Sequence, residues 1–166
     1  MGSDPLFGPL SSEDAVIGGK PRMRMIWPDL DASVDVEMHW DLAPTICGLL
    51  WDQMPFRSVQ EHALITGCML FATTRISTLA RENSKTFLDM ARGACYFATG
   101  SQNIGLVYGD VTEPEAHSVW GQVAEADWAT LERVGQAIWA NTLASDADPT
   151  VNPFAKRIIA VSFEPA

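Results

Sequence analysis

The side chains in this sequence best suited to proton transfer, ligation or nucleophilic attack are three histidines, three cysteines and two tyrosines. Glu61-His62-Ala63 is the most informative polar feature. An imidazole next to a carboxylate changes charge close to pH 7 and can serve as a base or a ligand. Its plainer reading is a strand-end histidine satisfied by a backbone carbonyl. His39 falls on the polar side of an alternating strand, and His117 opens another beside Glu113 and Glu115, so both read as surface groups. Tyr96 and Tyr108 stand on strands flanking the turn at 99–103. A tyrosine there presents an apolar body and a hydroxyl, useful to a small ligand and equally at home in wall packing. Cys47, Cys68 and Cys95 lie in apolar stretches (ICGLLW, GCMLF, ACYF) with no CxxC pair. They read as reduced, buried thiols, and Cys47 and Cys68 as inert for want of nearby positive charge. A zinc site from Cys68, His62 and a third ligand has a spacing that matches no structural zinc pattern. No metal and no cofactor is therefore expected. Neither a GxxxxGK[ST] phosphate loop nor a GxSxG nucleophile elbow occurs, so nucleotide-driven and serine-hydrolase chemistry are set aside.

The elements that must position these groups follow from periodicity. Met23, Met25 and Trp27 share one face of a first strand. Val34, Val36, Met38 and Trp40 then alternate with Asp35, Glu37, His39 and Asp41, which is a half-buried strand with one wet face. Pro28-Asp29 breaks the two runs apart, and together they make an antiparallel hairpin. Pro44 opens a helix over 44–54 whose apolar stripe is Cys47, Leu50, Trp51 and Met54. Strands are expected at 56–63 and 68–73 around a turn or bulge at Gly67, at 94–98 and 104–109, and at 117–124. Residues 77–93 read as a long loop with a helical turn. Asp127 is a candidate N-cap for a helix running to 141, carrying Leu131, Val134, Gly135 and Ile138. A polar loop over 145–152 precedes a last strand at 156–163, where Ile159, Val161 and Phe163 share a face.

About eight short strands with two isolated helices point to a closed barrel plugged by helices, because closure removes exposed strand edges. The expected fold is mainly β: a closed eight-stranded barrel over residues 20–166, with residues 1–19 as an N-terminal arm. With 166 residues and 47% hydrophobic content the chain can bury a proper core, which excludes disorder for most of it. A formal charge of -10 opposes any nucleic-acid backbone, so no nucleic-acid partner is expected. There is no apolar run of ~18 residues and hence no membrane span. The first residues lack the basic start and apolar core of a secretory signal, so a cytoplasmic location is expected.

Specific residues then carry a resemblance. Leu42-Ala43-Pro44-Thr45-Ile46-Cys47, followed by Leu50 and Pro55, resembles the strand-to-helix entry of cyclophilin-like barrels. Glu61-His62-Ala63 with Gly67, Gly93-Ala94-Cys95-Tyr96-Phe97 and Val107-Tyr108-Gly109 look like an uncharacterised bacterial branch of that superfamily, a domain of unknown function. The resemblance spans roughly residues 20–163 and implies the barrel fold without an activity. The prolyl isomerase motif is not kept. Arg57 lies near the place of the catalytic arginine, but the Gln-Gly-Gly-Asp and Met-Ala-Asn segments are absent.

Two functions fit these residues. The favoured one is a small-molecule binder or metabolic enzyme with a pocket at the barrel mouth, lined by Arg57, Glu61, His62, Tyr96 and Tyr108. The alternative is a peptide-binding module or a peptidyl-prolyl cis-trans isomerase, resting on the barrel and Arg57. A two-fold homo-oligomer is also expected. Ile46 and Leu49 widen the apolar arc of the first helix, Trp139 stands beside the stripe of the second, and Leu6, Phe7 and Leu10 give the arm apolar anchors.

Overall fold

The computed structural model describes residues 20–144 and 157–166. The chain opens with the expected hairpin, β1 (Arg22–Trp27) and β2 (Ala32–Met38), in the register Met25↔Val34. Pro28 starts a single 3-10 turn between them, and Asp31 closes it at φ 45°, a left-handed conformation that aspartate tolerates. Helix α1 (Pro44–Gln53) follows, then β3 (Phe56–His62), β4 (Gly67–Thr73), β5 (Ser84–Thr86), β6 (Ala94–Ala98), β7 (Asn103–Val111) and β8 (Ala116–Val123). Helix α2 (Trp128–Leu143) and β9 (Ala160–Pro165) complete it.

The strands run β2-β1-β9-β3-β4-β7-β6-β8, and β2 pairs with β8 to close an eight-stranded antiparallel barrel. β5 is an extra strand on the first half of β8, with Lys85 opposite His117. Because neighbours alternate in direction, β2 ends and β3 begins at one end of the barrel, and α1 spans that gap. β8 ends and β9 begins at the other, where α2 lies. The helices therefore close opposite ends.

Inward positions of every barrel strand share one core. Met23, Met25, Trp27, Val36, Leu70, Phe97, Trp120 and Phe163 are all essentially without exposure. Trp27 donates its indole N–H to Gln60 Oε1 at 3.0 Å, and Gln60 in turn donates to the Phe71 carbonyl at 2.7 Å. That pair satisfies the main polar group placed inside the barrel. The space between Met25, Gln60, Ala72, Leu106 and Trp120 has no room for a water. The interior is filled. A second, smaller core lies outside the wall, where Met69, Tyr96, Val107 and Val119 meet Phe87 and Met90 from the segment after β5. This explains why β6 and β7 read as nearly continuous apolar runs: both of their faces are covered.

Several expectations are corrected. The 77–93 segment contains β5, a three-residue strand too short to show a period, as well as the helical turn at Phe87–Asp89. The alternation of β2 stops at Met38. His39 turns half inward, its amide bonded to the Trp120 carbonyl at 2.8 Å and its Nδ1 without a partner. Burial holds its pKa down, so it is not a solvated imidazole. Asp127 sits at the N-cap of α2 but makes no cap bond; its carboxylate accepts the Asp35 amide at 2.9 Å, tying α2 to β2. Ile46 belongs to the core, with 0% exposure. Its burial follows from the helix facing the barrel along Ile46, Cys47 and Leu50 rather than along the stripe through Trp51. The arm of residues 1–19 and the polar loop at 145–152 lie outside the described residues.

Candidate functional site

β3 changes partners midway. Phe56–Val59 pairs with β9, whose approach ends where Gln60 donates to the Ile159 carbonyl at 2.8 Å. Gln60–His62 pairs with β4 on the other side. Past Ile159 no strand among the described residues covers the flank of β3, and a cleft of about 630 Å³ opens there. Val59, Glu61, Leu64, Ile65 and Phe71 form one wall, Asn141 and Thr142 of α2 with Arg157 and Ile158 form the other, and His62 lies between. The far wall is held in place by one side chain. Asn141 donates to the Arg157 carbonyl at 2.9 Å and accepts the Arg157 amide at 3.1 Å. Leu64, Ile65 and Ile158 are 71%, 80% and 76% exposed. These three large apolar side chains form an exposed apolar rim around one hollow.

His62 is 7% exposed and fully bonded. Its Nδ1 lies 2.6 Å from the Ala63 carbonyl, which can only accept, so Nδ1 carries the hydrogen. Nε2 is then left to accept the Tyr108 hydroxyl at 2.7 Å. The Trp139 ring of α2 covers the imidazole with centroids 4.5 Å apart. Tyr108 is seated by a close approach, because Gly135 of α2 leaves the room its ring occupies. Burial lowers the pKa of His62, more than its bond to the Ala63 carbonyl raises it, and keeps the imidazole neutral near pH 7. Burial likewise pushes the Tyr108 hydroxyl well above its ordinary range. The pair is a neutral donor–acceptor unit that fixes the floor of the cleft.

The residues expected to line one pocket occupy three places. Glu61 and His62 share the cleft, and Tyr108 supports His62 from beneath. Arg57 lines separate hollows at the α1 end of β3. Tyr96 faces outward, its ring lying across Gly105, in a smaller hollow of about 200 Å³ with Phe87, Glu115 and His117. His117, read from the sequence as a surface group, stacks there on Tyr96 at 5.4 Å and is mostly covered, and burial lowers its pKa. Asn141, Thr142, Arg157 and Ile158 had no signal in the sequence, because only the end of α2 and the entry to β9 bring them to β3. Cys47 and Cys95 are buried as expected, and burial pushes the Cys47 thiol up to about 12 and raises Cys95 further, whereas Cys68 is only half-buried. Among the described residues no helix is long and apolar enough to cross a membrane.

No family model matches the chain, and none of the curated proteins does. Solved structures do. McbB, determined in complex with tryptophan, superposes with a TM-score of 0.74 at 22% identity over 86% of this chain. What they share is the barrel. This chain spans 44% of the length of McbB. The hypothetical protein AF2241 from Archaeoglobus fulgidus, a solution structure, matches with a TM-score of 0.58 at 20% identity, over 92% of this chain and 99% of its own. At such identities the likeness is one of fold.

Proposed function

We propose that this protein binds a small zwitterionic molecule with an apolar arm, such as a free amino acid, in the cleft between β3 and α2. The observation that carries the reading is the cleft's lining. A carboxylate, Glu61, and a guanidinium, Arg157, share one hollow with the apolar side chains of Val59, Leu64, Ile65, Phe71 and Ile158. Opposite charges beside an apolar wall suit an ammonium, a carboxylate and a hydrocarbon or aromatic side chain in one ligand. The neutral His62–Tyr108 unit gives this site a rigid floor. McbB, a protein of like fold, was solved with a molecule of this class. The cyclophilin-like relation is part of the same proposal, supported by a barrel closed at each end by a helix. So is a two-fold homo-oligomer built on the arm of residues 1–19; Ile46 and Trp139 lend it no support, since one is in the core and the other packs on His62. An isomerase role rests on Arg57 without the rest of its motif.

The test is calorimetric titration with tryptophan, followed by a panel of free amino acids. At least one of them should bind saturably, and Glu61→Gln and Arg157→Gln should each weaken it by about tenfold, the loss of one charge-assisted contact. Both side chains are exposed, so neither change threatens folding. Absence of saturable binding by every member of the panel would overturn the proposal.

A further inference from the structure

The other flank of β3 carries a second site of opposite character. Over its first half β3 has β9 on one side, but β4 joins it only from Gln60 onward. Where the two strands splay, Ser58 reaches across to donate to the Thr73 carbonyl at 2.8 Å. A cleft of about 680 Å³ opens at this place, lined by Gln53, Pro55, Phe56, Arg57, Thr74 and Arg75 among others. Both arginines are exposed side chains on anchored backbone. Phe56, next to Arg57, stacks on Phe163 at 4.5 Å. Thr74 bonds through its amide and its hydroxyl to the Gln102 carbonyl at 3.0 and 2.9 Å, and Ile76 beyond Arg75 is 1% exposed.

Among the described residues, neither Arg57 nor Arg75 has a carboxylate within ion-pair distance, although the chain carries ten more negative than positive charges. Glu164 lines the groove on the opposite side of Arg57 without pairing with it. Two arginines line one hollow, and an anion placed there would gain from both charges while matching their planar donors. The α1 C-terminus contributes only about half a negative charge here, against two full positive ones. The volume exceeds a bare oxyanion and has Pro55 and Phe56 as an apolar surface. We propose that this cleft binds a small organic phosphate monoester, its dianion held between Arg57 and Arg75 and its organic part against Phe56.

Titration with phenyl phosphate, followed by phosphorus NMR and calorimetry, tests this. The wild type should bind saturably with a Kd of about 1 mM or tighter, and benzoate should bind about tenfold more weakly because it offers one charge instead of two. The double variant Arg57→Gln/Arg75→Gln should lose about tenfold or more, while Glu61→Gln, in the other cleft, should leave phenyl phosphate binding unchanged. No saturation, equal affinity for benzoate, or an unaffected double variant would each overturn the assignment. A loss in Glu61→Gln equal to that of the double variant would also overturn it, by placing the anion elsewhere.

Discussion

Replacing Gly135 by alanine pits two effects against each other. Gly135 lies inside α2, and alanine in a helix interior is favoured over glycine by about 1 kcal/mol. A Cβ at this position would stand 2.7 Å from three atoms of the Tyr108 ring, closer than real Cβ contacts allow. The ring is buried and cannot swing away freely. Overpacking of this kind costs about 1–3 kcal/mol, and displacing the ring also loses its hydrogen bond to His62, worth about 1 kcal/mol. The losses exceed the propensity gain, so Gly135→Ala should destabilise by about 1–3 kcal/mol, or several degrees of Tm at ~2–4 °C per kcal/mol. Gly48 in α1 supplies the control, since a Cβ there meets nothing within 4 Å. Gly48→Ala should stabilise by up to about 1 kcal/mol. Urea denaturation followed by circular dichroism measures both. A Gly135→Ala variant as stable as wild type, or more so, would refute the close packing of α2 on Tyr108 and with it the rigid floor of the cleft.

Glu82 accepts the backbone amides of Thr45 and Ile46 at 3.2 and 3.1 Å, so it caps α1 from a distant loop. Glu82→Ala should cost about 1–2 kcal/mol in urea melts, and Glu82→Gln less; a neutral result for alanine would contradict the cap. Burial lowers the pKa of His39, His62 and His117 below the ordinary value. Below about pH 6.5 the unfolded chain therefore takes protons that the folded one refuses, and stability should be flat above that pH and fall beneath it. Urea midpoints at pH 7.5 and 5.5 check the sign; an unchanged or higher midpoint at 5.5 would contradict it. Asp35 is held below the usual carboxylate range, chiefly by its hydrogen bond to Arg24. Its contribution should be lost only as pH falls through the acid range below about 4, and Asp35→Asn should remove that part of the acid sensitivity.

Much of the fold was legible because β-hairpins and amphipathic helices write their periods locally. Val34, Val36 and Met38 alternate, and Leu131, Val134 and Ile138 recur at helical spacing, and each set faces the core. β5 was not legible, since Ser84–Thr86 is held by the register of β8 and not by a pattern of its own. The site was legible only in part. Glu61 and His62 are adjacent in sequence and both border the cleft because it opens at their strand end, with Glu61 exposed and His62 buried. Arg57 precedes them by a few residues yet lies toward the other end of the barrel, as an extended strand carries it ~3.3 Å further with each residue. Asn141 and Arg157 meet across the end of α2, a contact that no local pattern encodes.

Amide chemical shifts of the isotope-labelled protein, followed during titration with tryptophan and then the other amino acids of the panel, locate the ligand on the fold. Saturable shifts should concentrate at Glu61, Leu64, Ile65 and Thr142, the residues around the cleft between β3 and α2. Shifts confined instead to the hollow of Tyr96 and His117, or no shifts with any amino acid of the panel, would contradict binding in this cleft.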